Sequence, residues 1–152
     1  MELILWRHAE AEEGAPDLGR PLTPKGVKQA KRMAAWLRAR LPEGARVMAS
    51  PATRAQQTAA ALTERFETVP ALAPGASPQA VLTAAGWPDG GGLVVVVGHQ
   101  PTLGQVAAWL LTGQDAQWSI KKGALWWLRL RRRNGGAEVQ VRAVIGPDWV
   151  DD

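Results

Sequence analysis

The chain has 152 residues, 46% apolar and 21% charged, with a formal net charge of +4; this excludes a disordered chain and predicts one domain, 1–152, with a substantial core. It has no cysteine and only two histidines, which excludes disulfides, a thiolate nucleophile and sulfur-ligated metal and argues against a transition-metal site. No apolar run approaches the ~20 residues of a membrane span, and the few residues before Arg7 are too short for a signal peptide, so a soluble cytoplasmic protein with no membrane partner is expected.

The first apolar run, Leu3-Ile4-Leu5-Trp6, reads as a strand and stops on Arg7-His8, which delivers a cation and a titratable nucleophile to one sheet edge. A polar loop from Glu10 to Pro21 follows. Thr23 then looks like an N-cap with Pro24 at the first helical position, opening a helix to about Leu41. Val27, Ala30, Met33, Ala34 and Leu37 recur at helical spacing as its buried stripe. A second strand, Arg46 to Ala49, runs through Ser50-Pro51 into a helix from about Ala52 to Phe66. A short strand near Thr68-Val69 and a link rich in Pro and Gly lead to a third helix, from Ser77 or Pro78 to Ala85. The unbroken β-branched run within Leu93 to Val97 predicts a strand buried on both faces, as in a parallel sheet, and it ends on Gly98-His99. A fourth helix spans about Pro101 to Leu111. Two last strands, about Ala124 to Leu130 and Ala137 to Ile145, pair as a hairpin around Asn134-Gly135-Gly136. Trp36 and Trp109 are expected to pack from their helices, and Trp126 and Trp127 to face opposite sides of their strand. The alternation of short strands and helices predicts an α/β fold, a three-layer α/β/α sandwich with a mostly parallel central sheet.

In such sheets ligands bind beyond the carboxyl ends of the strands. Arg7-His8, Ser50 to Arg54 and His99 all fall at strand ends, and two of these loops open helices whose free N–H groups favour anions. Two arginines and both histidines of the chain converging there describe a phosphate pocket, since guanidinium forks bind phosphoryl oxygens bidentately. Singly, each of these residues reads more readily as a structural histidine or a surface charge; their convergence is what points to chemistry. The glycines at 90–92 precede a strand and are no dinucleotide fingerprint. The basic run Arg129 to Arg133 reads as a solvated hairpin end, so no nucleic-acid partner is expected.

The segments Leu5-Trp6-Arg7-His8-Ala9-Glu10-Ala11, Arg20-Pro21-Leu22-Thr23-Pro24-Lys25-Gly26, Ser50-Pro51-Ala52-Thr53-Arg54-Ala55-Gln56-Gln57-Thr58 and Val97-Gly98-His99-Gln100-Pro101 resemble, in order, motifs of the histidine phosphatase superfamily. With the short length, the chain is similar to the small bacterial phosphohistidine phosphatases. The resemblance implies a phosphoglycerate mutase-like fold and a metal-independent phosphatase without cofactor. It implies His8 as the nucleophile, phosphorylated and then hydrolysed, with Arg7, Arg54 and His99 around the phosphoryl group. The arginines should lower the pKa of His8, and His99 should be protonated against a phosphate dianion. Arg20 and Gln100 are expected as substrate-binding residues.

Two departures stand out. Ala9 occupies a position where glycine is common in the family. The stretch Pro70 to Gly75, where many members carry a general acid, has no carboxylate, although Glu10, Glu12, Glu13 or Asp17 could reach the site from the first loop. An alkoxide needs a proton to leave, whereas imidazole is far less basic. The expected substrate is therefore phosphohistidine on a signalling or carrier protein. A small phosphate ester and a non-catalytic anion-binding role are the alternatives.

Overall fold

A computed structural model describes residues 1–151. Six strands form one sheet in the order β3-β2-β4-β1-β5-β6. They are β1 (Glu2–Arg7), β2 (Arg46–Ala49), β3 (Glu67–Thr68), β4 (Leu93–Gly98), β5 (Leu125–Arg133) and β6 (Gly136–Ile145). β1, β4, β2 and β3 run parallel, and β5 turns back along β1 to pair with β6, so the sheet is mostly parallel with an antiparallel hairpin at one side. The helices are α1 (Pro24–Arg38), α2 (Thr53–Leu62), α3 (Pro78–Ala85) and α4 (Thr102–Thr112).

Strand alternation sorts the core into two layers. Ile4, Trp6, Val47, Val95 and Val97 point to one face, where Met33, Ala34 and Leu37 of α1 and Ala55, Ala59 and Leu62 of α2 cover them. Leu3, Leu5, Met48, Val94 and Val96 point to the other, under Val81, Leu82 and Ala85 of α3 and Leu103, Val106 and Ala107 of α4. Every residue of β4 is buried, as its unbroken apolar run requires. Trp126 and Trp127 go to opposite layers.

The differences from the sequence-based expectations have local causes. Thr23 caps α1 by accepting from the Gly26 N–H at 2.9 Å. The buried stripe, however, is Gly26, Ala30, Met33, Ala34 and Leu37, and Val27 is turned outward. Gly26 takes the inner position because the Glu10 carbonyl lies where its Cβ would be. α2 ends at Leu62 rather than near Phe66, because Thr63 is extended and its hydroxyl accepts from the Arg65 N–H at 3.0 Å, a local turn that competes with helix. Trp109 is half exposed rather than packed. The hairpin turns on Asn134-Gly135, both at positive φ (48° and 80°), the mirror-image turn that suits twisted strands. Arg129 to Arg133 lie on that hairpin, and Arg132 pairs with the exposed Asp89 at 2.7 Å.

Candidate active site

The parallel register brings three strand ends to one rim. Arg7 stands beside Gly98, and Ala49 beside Val97. The residues just beyond are locked to the sheet: the His8 N–H donates to the Gly98 carbonyl (3.1 Å) and the Ser50 N–H to the Val97 carbonyl (3.0 Å). His8, Ser50, Arg54 and His99 are all buried, and the two imidazoles face one another with ring centroids 5.1 Å apart.

A cleft of about 450 Å³ opens over this rim, lined by Arg7, His8, Arg54 and His99 together with Arg20, Gln100, Asp17, Glu13 and Lys122. All six site residues expected from the sequence therefore meet in one place. Of the first-loop carboxylates, Glu13 and Asp17 reach the cleft. Pro74 supplies its wall from the segment that lacks a carboxylate.

His8 Nδ1 lies 2.7 Å from the Ala9 carbonyl. A carbonyl only accepts, so Nδ1 carries the proton and Nε2 keeps its lone pair. Burial lowers the His8 pKa from 6.5 to about 4; the bond to Ala9 opposes it, and the charges of Arg54, Arg7 and Arg20 add smaller lowering contributions. The direction is the expected one, but its main cause is desolvation, with each arginine a lesser one. His99 is held at about 3, again first by burial and then by His8 and Arg54, so both imidazoles are neutral at physiological pH in the protein alone. Its Nε2 is 2.7 Å from Ser50 Oγ, which also accepts the Ala52 N–H at 3.1 Å.

Arg7 Nη1 donates to the Ile120 carbonyl at 2.9 Å. Arg54 is held from outside the sheet: Nη1 donates to the Asp17 carbonyl (2.8 Å) and Nη2 to Asp17 Oδ2 (3.2 Å). Arg20 Nε donates to the other carboxylate oxygen at 3.1 Å, so Asp17 braces two guanidinium groups. Those hydrogen bonds and charges hold the Asp17 carboxyl below the usual carboxylate range. The burial of Arg7 and the charge of Arg54 beside it lower the pKa of Arg7. Thr58 ties the first motif to the third, its hydroxyl donating to the Arg54 carbonyl (2.8 Å) and accepting from the Ala9 N–H (3.1 Å).

Gln100 is fixed at both ends of its amide, donating to the Trp118 carbonyl (2.8 Å) and accepting from the Gly104 N–H (2.7 Å). Sequence reasoning missed Asp17 as a brace, Ser50 as the partner of His99, Thr58 as the tie between Ala9 and Arg54, and Lys122. The four-residue step from Arg54 to Thr58, one helical turn, was the available signal for Thr58; none marked Lys122.

Among the described residues, three buried side-chain atoms lack a hydrogen-bond partner: Arg7 Nε, Arg54 Nε and His99 Nδ1. All belong to residues of this cleft. Leaving a buried donor unpaired costs ~1–3 kcal/mol, so the cleft is built for an acceptor-rich guest. Among the same residues no group of three or more His, Cys, Asp or Glu could hold a metal ion.

Residues 3–75 match the histidine phosphatase superfamily, branch 1. The phosphohistidine phosphatase SixA of Escherichia coli is 32% identical over 128 residues, covering 75% of this chain and 76% of that protein. An uncharacterised protein of Mycobacterium tuberculosis is 36% identical over 119 residues, 72% of this chain and 73% of its own. The solved structure of SixA complexed with tungstate superposes with a TM-score of 0.81 at 27% identity, covering 97% of this chain and 98% of that one.

Proposed function

The chain belongs to the histidine phosphatase superfamily, in its branch of short bacterial phosphohistidine phosphatases, and from that premise we propose that it dephosphorylates histidine on a protein through a phosphoryl intermediate on His8. The observation that carries this reading is the group of three unpartnered buried polar atoms from Arg7, Arg54 and His99 around a neutral imidazole. A phosphoryl group supplies acceptor oxygens for all three. The fold is the phosphoglycerate mutase-like α/β architecture.

His8 Nε2 attacks phosphorus in line, forming a P–N bond as the substrate P–N bond breaks. Water then attacks the phosphorylated His8, forming a P–O bond and releasing Nε2 and inorganic phosphate. Little covalent chemistry is left to the protein, so catalysis is positioning and charge stabilisation. Arg7 and Arg54 meet the phosphoryl oxygens, with Arg20 at the outer rim. His99 takes the tautomer in which Nε2 accepts from the Ser50 hydroxyl and Nδ1–H donates to phosphate, and a bound dianion raises its pKa. Gln100, with its amide engaged, holds the start of α4 and the wall near Trp118 in place.

The carboxylate bonded to the site, Asp17, is held ionised by Arg54 and Arg20 and is a poor proton donor at neutral pH. That suits imidazole as leaving group and disfavours sugar phosphates, whose alkoxide needs a proton. The reaction uses no metal and no cofactor, and its substrate is a cytoplasmic signalling or carrier protein.

The test is phosphate release from a phosphohistidine-bearing carrier protein in excess EDTA. Wild type releases phosphate and His8→Ala does not. Arg54→Ala retains the fold and loses on the order of 10²–10³ in kcat, the cost of removing one preorganised donor to transition-state charge. Robust turnover of a sugar phosphate with no release from the phosphoprotein moves the reading to small esters.

A further inference from the structure

A second groove, of about 600 Å³, adjoins the phosphate cleft across the Arg7 side chain and reaches the turn Pro147–Trp149. Arg7 and Lys122 line both spaces. The segment before β5 forms the partition: Ile120 takes the Arg7 hydrogen bond, and the Gly123 N–H donates to the Arg7 and His8 carbonyls at 3.1 and 3.0 Å. Gly123 sits at φ +77°, and a Cβ there would lie 2.9 Å from the Pro147 ring, so glycine lets the C-terminal turn close onto the groove.

Charge and apolar surface coincide here. The groove carries four cations, Arg7, Lys25, Lys121 and Lys122, against two carboxylates, Glu10 and Asp148. One Glu10 oxygen already accepts from the Thr23 hydroxyl at 2.7 Å. On the same groove Trp149 is 85% exposed and Val144 52% exposed. None of these apolar groups takes part in the phosphoryl chemistry.

We propose that this groove docks the substrate protein, receiving an acidic surface with apolar side chains beside the phosphorylated histidine. The proposal rests on the phosphohistidine-protein reading above. A histidine that puts its phosphoryl group in the cleft brings its own backbone to the rim, next to the shared Arg7 and Lys122. The neighbouring protein surface then covers the groove, whereas a small phosphate compound never reaches it. The cationic excess matches acidic residues and speeds encounter, and an exposed indole is a frequent energetic anchor of interfaces.

The experiment compares wild type with Trp149→Ala and Lys121→Glu on two substrates, a phosphohistidine-bearing carrier protein and phosphoramidate. Each variant raises KM for the phosphoprotein about tenfold, with kcat and phosphoramidate hydrolysis unchanged. Wild-type KM in both variants, or equal loss on both substrates, overturns the docking surface alone. Wild type that cleaves phosphoramidate but not the phosphoprotein overturns the substrate reading and docking together. A change of sedimentation from dimer to monomer in Trp149→Ala assigns the groove to a second copy of the chain and overturns it as well.

Discussion

His8 and His99 are the only histidines in the chain, and both stand in the cleft. Their imidazole signals therefore report the site without interference from any other residue. Burial holds them near 4 and 3, well below the 6.5 of a free imidazole. A proton NMR titration of the untagged chain is expected to show neither ring titrating between pH 5 and 8. Adding inorganic phosphate should raise the His99 value and bring its midpoint up toward that window. A ring with a midpoint near 6.5 in the free protein would contradict the neutral resting site. Arg7, His8, Arg54 and His99 were legible in the sequence because each follows or ends an unmistakable apolar run or opens a helix. Asp17 was readable only as a first-loop carboxylate within reach of the site; its bracing of Arg54 was not, because it depends on a loop that carries it back over a residue 37 positions away in the chain.

At the scale of elements, two helical glycines carry the joins between secondary structure and site loops. A Cβ at Gly26 would run into the Glu10 carbonyl, and one at Gly104 into the Trp118 carbonyl. Glycine to alanine inside a helix ordinarily stabilises by ~1 kcal/mol. Here the sign reverses: Gly26→Ala and Gly104→Ala should each destabilise by ~1–3 kcal/mol, the cost of overpacking, and chemical denaturation measures it. Helix starts were readable from the sequence where a cap and a proline coincide, as at Thr23-Pro24 and Ser77-Pro78. Helix ends were less so. α2 stops four residues early because Thr63 forms a local turn, and Gly26 packs against the Glu10 backbone while Val27 faces outward, contacts that periodicity does not encode.

For the whole molecule, the two suppressed imidazoles couple folding to pH. Below pH 6.5 the unfolded chain takes up protons that the folded site refuses until about pH 4 and 3. The stability they contribute is thus fully present above pH 6.5 and is lost as pH falls toward those values. The slope is up to ~1.4 kcal/mol per pH unit for each histidine. Denaturation free energy should fall between pH 7 and 5, and a His8→Asn/His99→Asn double variant should flatten that fall. The Asp17 carboxyl, lowered by its arginine partners, adds its loss in the same direction at lower pH.

The order of the sheet has one more consequence, for how the chain behaves at high concentration. One margin is β3, only two residues long, and the other is β6, which interleaves Glu138, Gln140 and Arg142 among its valines beside a register shift in β5. Short margins, charge and irregular pairing are the means by which natural sheets refuse a strand from a neighbouring chain. The fully apolar β4, the segment most able to nucleate cross-chain pairing, is flanked on both sides by β1 and β2. Its hazard is confined to the unfolded chain, so aggregation should follow the population of that state and grow as acid erodes stability.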